Sequence, residues 1–110
     1  MIRLTADLWV AAYIARLQAL AIPVYVTRRG DRVAGAVVVK LSTLDGRAVA
    51  FERMADLVTG GRRWAVLAEG ADAEVDAVLR RTAGRDPDLW VIEVEDRAGR
   101  HLLDEPGLDS

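Results

Sequence analysis

A chain of 110 residues, 52% of them hydrophobic, has the length of one domain and enough apolar material for a core, which excludes a second domain of ordinary size. There is no cysteine, so disulfides, thiolate metal sites and a cysteine nucleophile are excluded, and a reducing cytoplasm is the expected location. The formal net charge is only −2, and Lys40 is the single lysine among fifteen basic residues, so overall charge argues for no particular partner.

The N-terminal run "LWVAAYIARLQALA" is apolar, but Asp7 flanks it, Arg16 breaks it and it is too short to span a bilayer. It reads as an amphipathic helix, and no membrane partner is expected. Thr5 can cap it, Asp7 suits the positive end of its dipole, and Leu8, Trp9, Ala12, Tyr13, Leu17 and Leu20 recur at three- and four-residue spacings. Pro23 ends it by forcing Ile22 out of the helical region.

Val24 to Arg28 reads as a first strand and Gly30-Asp31 as a turn. The "RGD" at 29–31 is therefore a turn signal rather than an adhesion motif. Val33 to Ser42 is a second strand, apolar on both faces through "AGAVVVKL". Asp45-Gly46 is a hairpin turn, so the third strand, Arg47 to about Met54, lies antiparallel to the second. The loop "ADLVTGG" leads to a fourth strand, "RRWAVLA". A second helix follows, with Asp72, Glu74 and Asp76 early, Val75, Val78, Leu79 and Thr82 as its buried stripe, Arg80 and Arg81 late, and Gly84 to close it. A fifth strand begins near Trp90, burying Trp90, Ile92 and Val94. "DRAG" can turn it into a short sixth strand containing "RHLL".

This order, α-β-β-β-β-α-β-β, predicts an α+β fold: a mostly antiparallel sheet of five or six strands with two helices on one face. One domain is expected over residues 1–104, with 105–110 as a flexible tail.

Tracing strand directions collects Arg28, Arg29, Arg32, Arg53, Arg62, Arg63, Arg80, Arg81 and Arg85 at one end, partly neutralised by Asp31, Asp56, Asp86 and Asp88. Asp45, Glu69, Asp72, Glu74, Asp76, Glu95 and Asp96 collect at the other. Guanidinium groups grip phosphate in a bidentate way, which makes Arg28, Arg29, Arg53, Arg62 and Arg63 candidate anion-binding residues. Nucleic acid is not the favoured anion, because RNA readers interleave exposed aromatics with their charges and only Trp64 lies close to this rim. If the helices cover only one sheet face, the apolar strands leave a second face for a homodimer or a protein partner.

Catalytic motifs are scarce. "TGGRRW" lacks the lysine and hydroxyl of a P-loop, "RVAGAVV" sits inside a strand rather than opening a helix, and there is no G-x-S-x-G elbow. One histidine without cysteine makes a zinc site improbable. Glu93, Glu95 and His101 remain: two carboxylates on one strand face, with an imidazole that a returning sixth strand could bring near, could hold magnesium or manganese or act as acid and base. Strand alternation alone also accounts for them, as a solvated face. No cofactor is expected.

The segments "LTADLWVAAYIARLQA", "RRGDRVAGAVVVKLSTLDGRA", "GGRRW" and above all "DPDLWVIEVEDRAGRHLLDEP" make the chain similar to a family of small alphaproteobacterial proteins of unknown function, DUF1491. The resemblance spans nearly the whole chain. It implies a compact cytoplasmic domain and brings no activity, substrate or catalytic residue. The function expected is that of a small non-enzymatic interaction module that binds a protein partner or itself, with an anion at its arginine rim; the alternative is a metal-assisted enzyme built on Glu93, Glu95 and His101.

Overall fold

The computed structural model describes residues 4–55 and 57–109; Asp56 and Ser110 lie outside the described residues. Helix α1 spans Ala6–Ala19, strands β1 to β4 span Val24–Arg28, Val37–Ser42, Arg47–Ala55 and Arg62–Ala71, helix α2 spans Asp72–Arg85, and β5 spans Trp90–Glu95. The α+β class and the order of the first seven elements are as the sequence predicts.

The five strands form one sheet in the order β1-β5-β2-β3-β4. It is mixed rather than antiparallel throughout, because β5 runs parallel to β2 while its other neighbour, β1, is antiparallel to it. The Asp45-Gly46 hairpin forms as expected, with Gly46 at φ +87°.

The helices lie on opposite faces of the sheet, not on one. Trp9, Tyr13 and Leu17 of α1 pack with Val37, Val39, Leu41, Trp90, Ile92 and Val94 in one core. Val75 and Leu79 of α2 pack on Val38, Ala48, Ala50, Leu89 and Val91 in a second. This arrangement explains why β2 is apolar on both sides: its alternate residues belong to different cores, as in a strand covered above and below.

Insertion of β5 between β1 and β2 also removes the expected sixth strand. Both edges of β5 are already hydrogen-bonded, so "RHLL" has no edge on which to form a hairpin. Residues 97–109 instead turn across the α1 side, where Leu102, Leu103 and Leu108 are buried. The Tyr13 hydroxyl donates to the His101 carbonyl (2.7 Å), Trp64 Nε1 donates to the Leu108 carbonyl (2.8 Å), and Arg16 pairs with Glu105 (2.8 Å). Residues 105–109 are thus docked rather than a loose tail, and Leu108 closes the α1 core.

Residues 33–36 form a loop instead of the start of β2. The carbonyls of Arg32 and Val33 accept the N–H groups of Asp7 and Ala6 and so cap α1 from outside. Thr5 occupies the N-cap position, but its hydroxyl donates to Asp7 (2.6 Å), and this bond is the main cause of the lowered pKa of Asp7. The loop closes on β5: Asp31 N–H donates to the Asp88 carbonyl (2.9 Å) and Trp90 Nε1 to the Asp31 carbonyl (2.7 Å). A Cβ at Gly35 would lie 2.5 Å from that Asp88 carbonyl, so only glycine fits. The Asp31 carboxylate accepts from Val33 N–H and Ala34 N–H, which makes "RGD" a turn.

Candidate functional site

The topology gathers the arginines as their strand directions require. Strand β1 runs down to Arg28, β3 runs down through Arg53, β4 starts at Arg62 and Arg63, and α2 descends to Arg85. Because β1 and β4 are the two edges of the sheet, the five candidate residues fall into two groups. Arg28 and Arg29 stand at the β1 edge and Arg62 and Arg63 at the β4 edge, four strand spacings or about 19 Å apart, with Arg53 on β3 beside the β4 edge.

Each group is shaped by its surroundings. The Arg28 guanidinium donates to the Pro87 carbonyl (3.2 Å), and Arg29 lies 5.6 Å from the centre of the Trp90 ring. Arg53 lies over both Trp9 and Trp64, at 5.1 and 5.7 Å, and two indole faces restrict the swing of its planar cation. Trp9 and Trp90 are buried in the α1 core and Trp64 packs against it, so each of the three tryptophans both anchors the core and lies against an arginine. Among the described residues Arg62 and Arg63 form no ion pair. A shallow groove of about 240 Å³ lies beside them, lined by Ala34, Gly35, Ala36, Arg53, Met54, Gly60, Gly61 and Arg62.

The opposite end differs in that its principal cation is consumed internally. Lys40 is 3% exposed, and its ammonium donates to Asp72 (2.8 Å), Asp76 (2.8 Å) and Glu93 (2.9 Å). Burial by itself disfavours the ammonium, but the three hydrogen bonds outweigh it and hold the pKa above the ordinary lysine value. Asp72 and Asp76 stand one helical turn apart at the start of α2, and Glu93 lies opposite Lys40 in the β2–β5 ladder. The cluster clamps the helix to the sheet. The sequence reading passed over it; the one available signal is a lone lysine in the middle of "AVVVKL", a strand buried on both sides.

This clamp decides the position of Glu93, and the structure does not bring Glu93, Glu95 and His101 together. Glu93 faces α2 with Lys40, whereas the His101 ring lies tilted against Phe51 (centroids 4.7 Å apart) beside the α1 core, on the other side of the sheet. The Leu103 N–H donates to His101 Nδ1 (2.9 Å), which ties the imidazole to its own turn. Glu95 sits beside Tyr25, whose phenol it holds at a raised pKa by accepting its hydrogen bond. Among the described residues no three His, Asp or Glu side chains are arranged to hold a metal ion. The carboxylates that do converge are Asp72, Asp76 and Glu93, and Lys40 already stands where a cation would.

The long specific segment "DPDLWVIEVEDRAGRHLLDEP" is thus the interior strand β5 together with the turn that seals the α1 core. The sequence profile of DUF1491, a family described as proteins of unknown function, matches residues 4–104. The chain belongs to the DUF1491 family. It is similar to the crystal structure of a DUF1491 protein from Caulobacter crescentus CB15, with 39% identity, 96% of this chain and 97% of that one covered, and a TM-score of 0.82. The solution structure of a DUF1491 protein from the same organism gives 40% identity over the same shares and a TM-score of 0.83. A protein of A. tumefaciens is 29% identical over 86% of each chain, with a TM-score of 0.73. No curated protein matches the chain.

The expected partner surface on an open sheet face does not exist as such: α1 and the 97–109 segment cover one face and α2 packs on the other. No helix among the described residues is long and apolar enough to cross a membrane.

Proposed function

We propose that this DUF1491 protein is a non-enzymatic binding module that engages an extended anionic partner at the arginine end, through Arg28 and Arg29 at the β1 edge and Arg62 and Arg63 at the β4 edge, with Arg53 on the neighbouring strand β3. The observation that carries the reading is the spread of these cations over about 19 Å at the end where Arg62 and Arg63 form no ion pair among the described residues. A phosphorylated metabolite is too small to touch both edges; a polymer or a charged surface reaches them together. The partner thus meets the end of the sheet rather than its face. The cysteine-free composition is compatible with a reducing compartment, and we place the module in the cytoplasm.

The test is salt-dependent binding of a single-stranded DNA oligomer, used only as a polyanion probe. Arg62→Ala with Arg63→Ala should lower the slope of log K against log salt by about 1.4, at about 0.7 per neutralised phosphate. An unchanged affinity and slope at low salt would remove the arginine end as a binding surface.

A further inference from the structure

The hairpin joining β3 and β4 projects beyond the rest of the sheet. The β2–β3 ladder ends at the pair Val38 and Glu52, while Arg53, Met54 and Ala55 continue and pair only with Trp64, Arg63 and Arg62. Three further residues carry a two-stranded ribbon about 10 Å past that last pair before the turn begins. At its tip Leu57 and Val58 are each 95% exposed, and Met54 in the stem is 43% exposed. Fully exposed aliphatic pairs on a protruding tip are unusual, because single apolar residues on a surface ordinarily retain partial cover from neighbours.

We propose that this hairpin is a membrane-docking tip: Leu57 and Val58 enter the interfacial layer of an anionic bilayer while the arginines beneath them rest on its headgroups. The proposal rests on reading the arginine end as the binding surface and names the surface it binds. Two independent features of one end must be matched by the partner. It must offer negative charge over about 19 Å, and it must accept two aliphatic side chains on a projecting ribbon.

A nucleic acid meets only the first requirement, since aliphatic side chains have no π-face for stacking and no donor for a base edge. An anionic bilayer meets both. Its headgroups supply the charge, and the acyl boundary receives apolar groups that sink roughly 5–10 Å, a depth comparable to the ribbon's projection. No spanning helix is needed, so the lack of a long apolar helix among the described residues has no bearing on this mode. Asp56, beside Leu57 in the sequence, adds one opposing charge, against Arg62 and Arg63 on the returning strand.

The full chain should float with phosphatidylcholine vesicles that contain phosphatidylglycerol and stay behind with phosphatidylcholine alone. Leu57→Ser with Val58→Ser changes only exposed side chains; it should weaken vesicle partitioning about tenfold or more while leaving binding of the DNA oligomer unchanged. Arg62→Ala with Arg63→Ala should weaken both, by about fivefold per arginine on vesicles. Failure of the wild-type chain to bind anionic vesicles, or equal binding by the serine pair, would overturn the membrane tip. If oligomer binding still responds to the arginine pair in that case, the arginine-end reading stands; if neither probe responds, both readings fall.

Discussion

Replacing Lys40 by Met keeps most of the buried stem and deletes the ammonium that binds α2 to the sheet. The three carboxylates left behind, 2.8 to 2.9 Å from that vanished charge, would then face one another. Removing one partner from a fully buried ion pair costs about 3–5 kcal/mol. Here the carboxylate side chains retain 43%, 41% and 28% exposure, so water screens part of the repulsion and the expected loss is about 2–3 kcal/mol. For a domain of this size the melting temperature should fall by about 10–20 °C. Urea unfolding followed by circular dichroism measures the loss directly. Adding Asp72→Asn, Asp76→Asn and Glu93→Gln to the Lys40→Met chain should restore much of it, because the repulsion goes with the charges. The pH dependence has a defined sign. The folded pKa of Lys40 lies above its ordinary 10.5, so the stabilisation is complete below about that pH and declines as pH rises through the folded value. The Tyr13 phenol, whose pKa burial raises, also destabilises the fold above its ordinary 10.0, but equally in both chains. The stability difference between wild type and Lys40→Met should therefore shrink above pH 10.5. A Lys40→Met chain within about 0.5 kcal/mol of wild type at neutral pH would refute the clamp, since surface substitutions commonly fall in that range.

The docked C-terminal segment predicts that Leu108→Ala costs about 2–4 kcal/mol and that limited proteolysis then cleaves after residue 104 first; wild-type stability in this variant would return 105–109 to a loose tail. Ala21 closes α1 in the left-handed region at φ 57°, with Ile22 N–H donating to Leu17 O and Ala21 N–H to Gln18 O. Ala21→Gly should therefore raise stability by about 0.5 kcal/mol in urea unfolding, the relieved strain exceeding the added chain entropy, and a loss would contradict this account.

The readable parts of the candidate site were those that depend only on strand direction. Once Asp45-Gly46 marks a hairpin and α2 returns the chain, Arg28, Arg53, Arg62 and Arg63 must reach one end whichever strands are neighbours. Their division into two groups depends on strand order, because β1 and β4 become the edges only when β5 enters beside β2. The Lys40 clamp was hidden for a similar reason: its three acceptors come from α2 and β5, between 32 and 53 residues farther along the chain.

Composition and local pattern by themselves determined the α+β class, the order of the first seven elements, the turn at Asp45-Gly46 and the burial of Trp90, Ile92 and Val94. These follow from φ/ψ preferences and from alternation at periods of 2 and 3.6, which are properties of neighbouring residues. Tertiary structure alone decided that the helices take opposite faces, that "RHLL" finds no edge to pair with, that Leu108 closes a core, and that Glu93 meets Lys40 while His101 lies on the other side of the sheet. The missing edge for "RHLL" and the meeting of Glu93 with Lys40 follow from the insertion of β5 between β1 and β2. That pairing is fixed by contacts between segments far apart in the chain, and local periodicity carries no record of it.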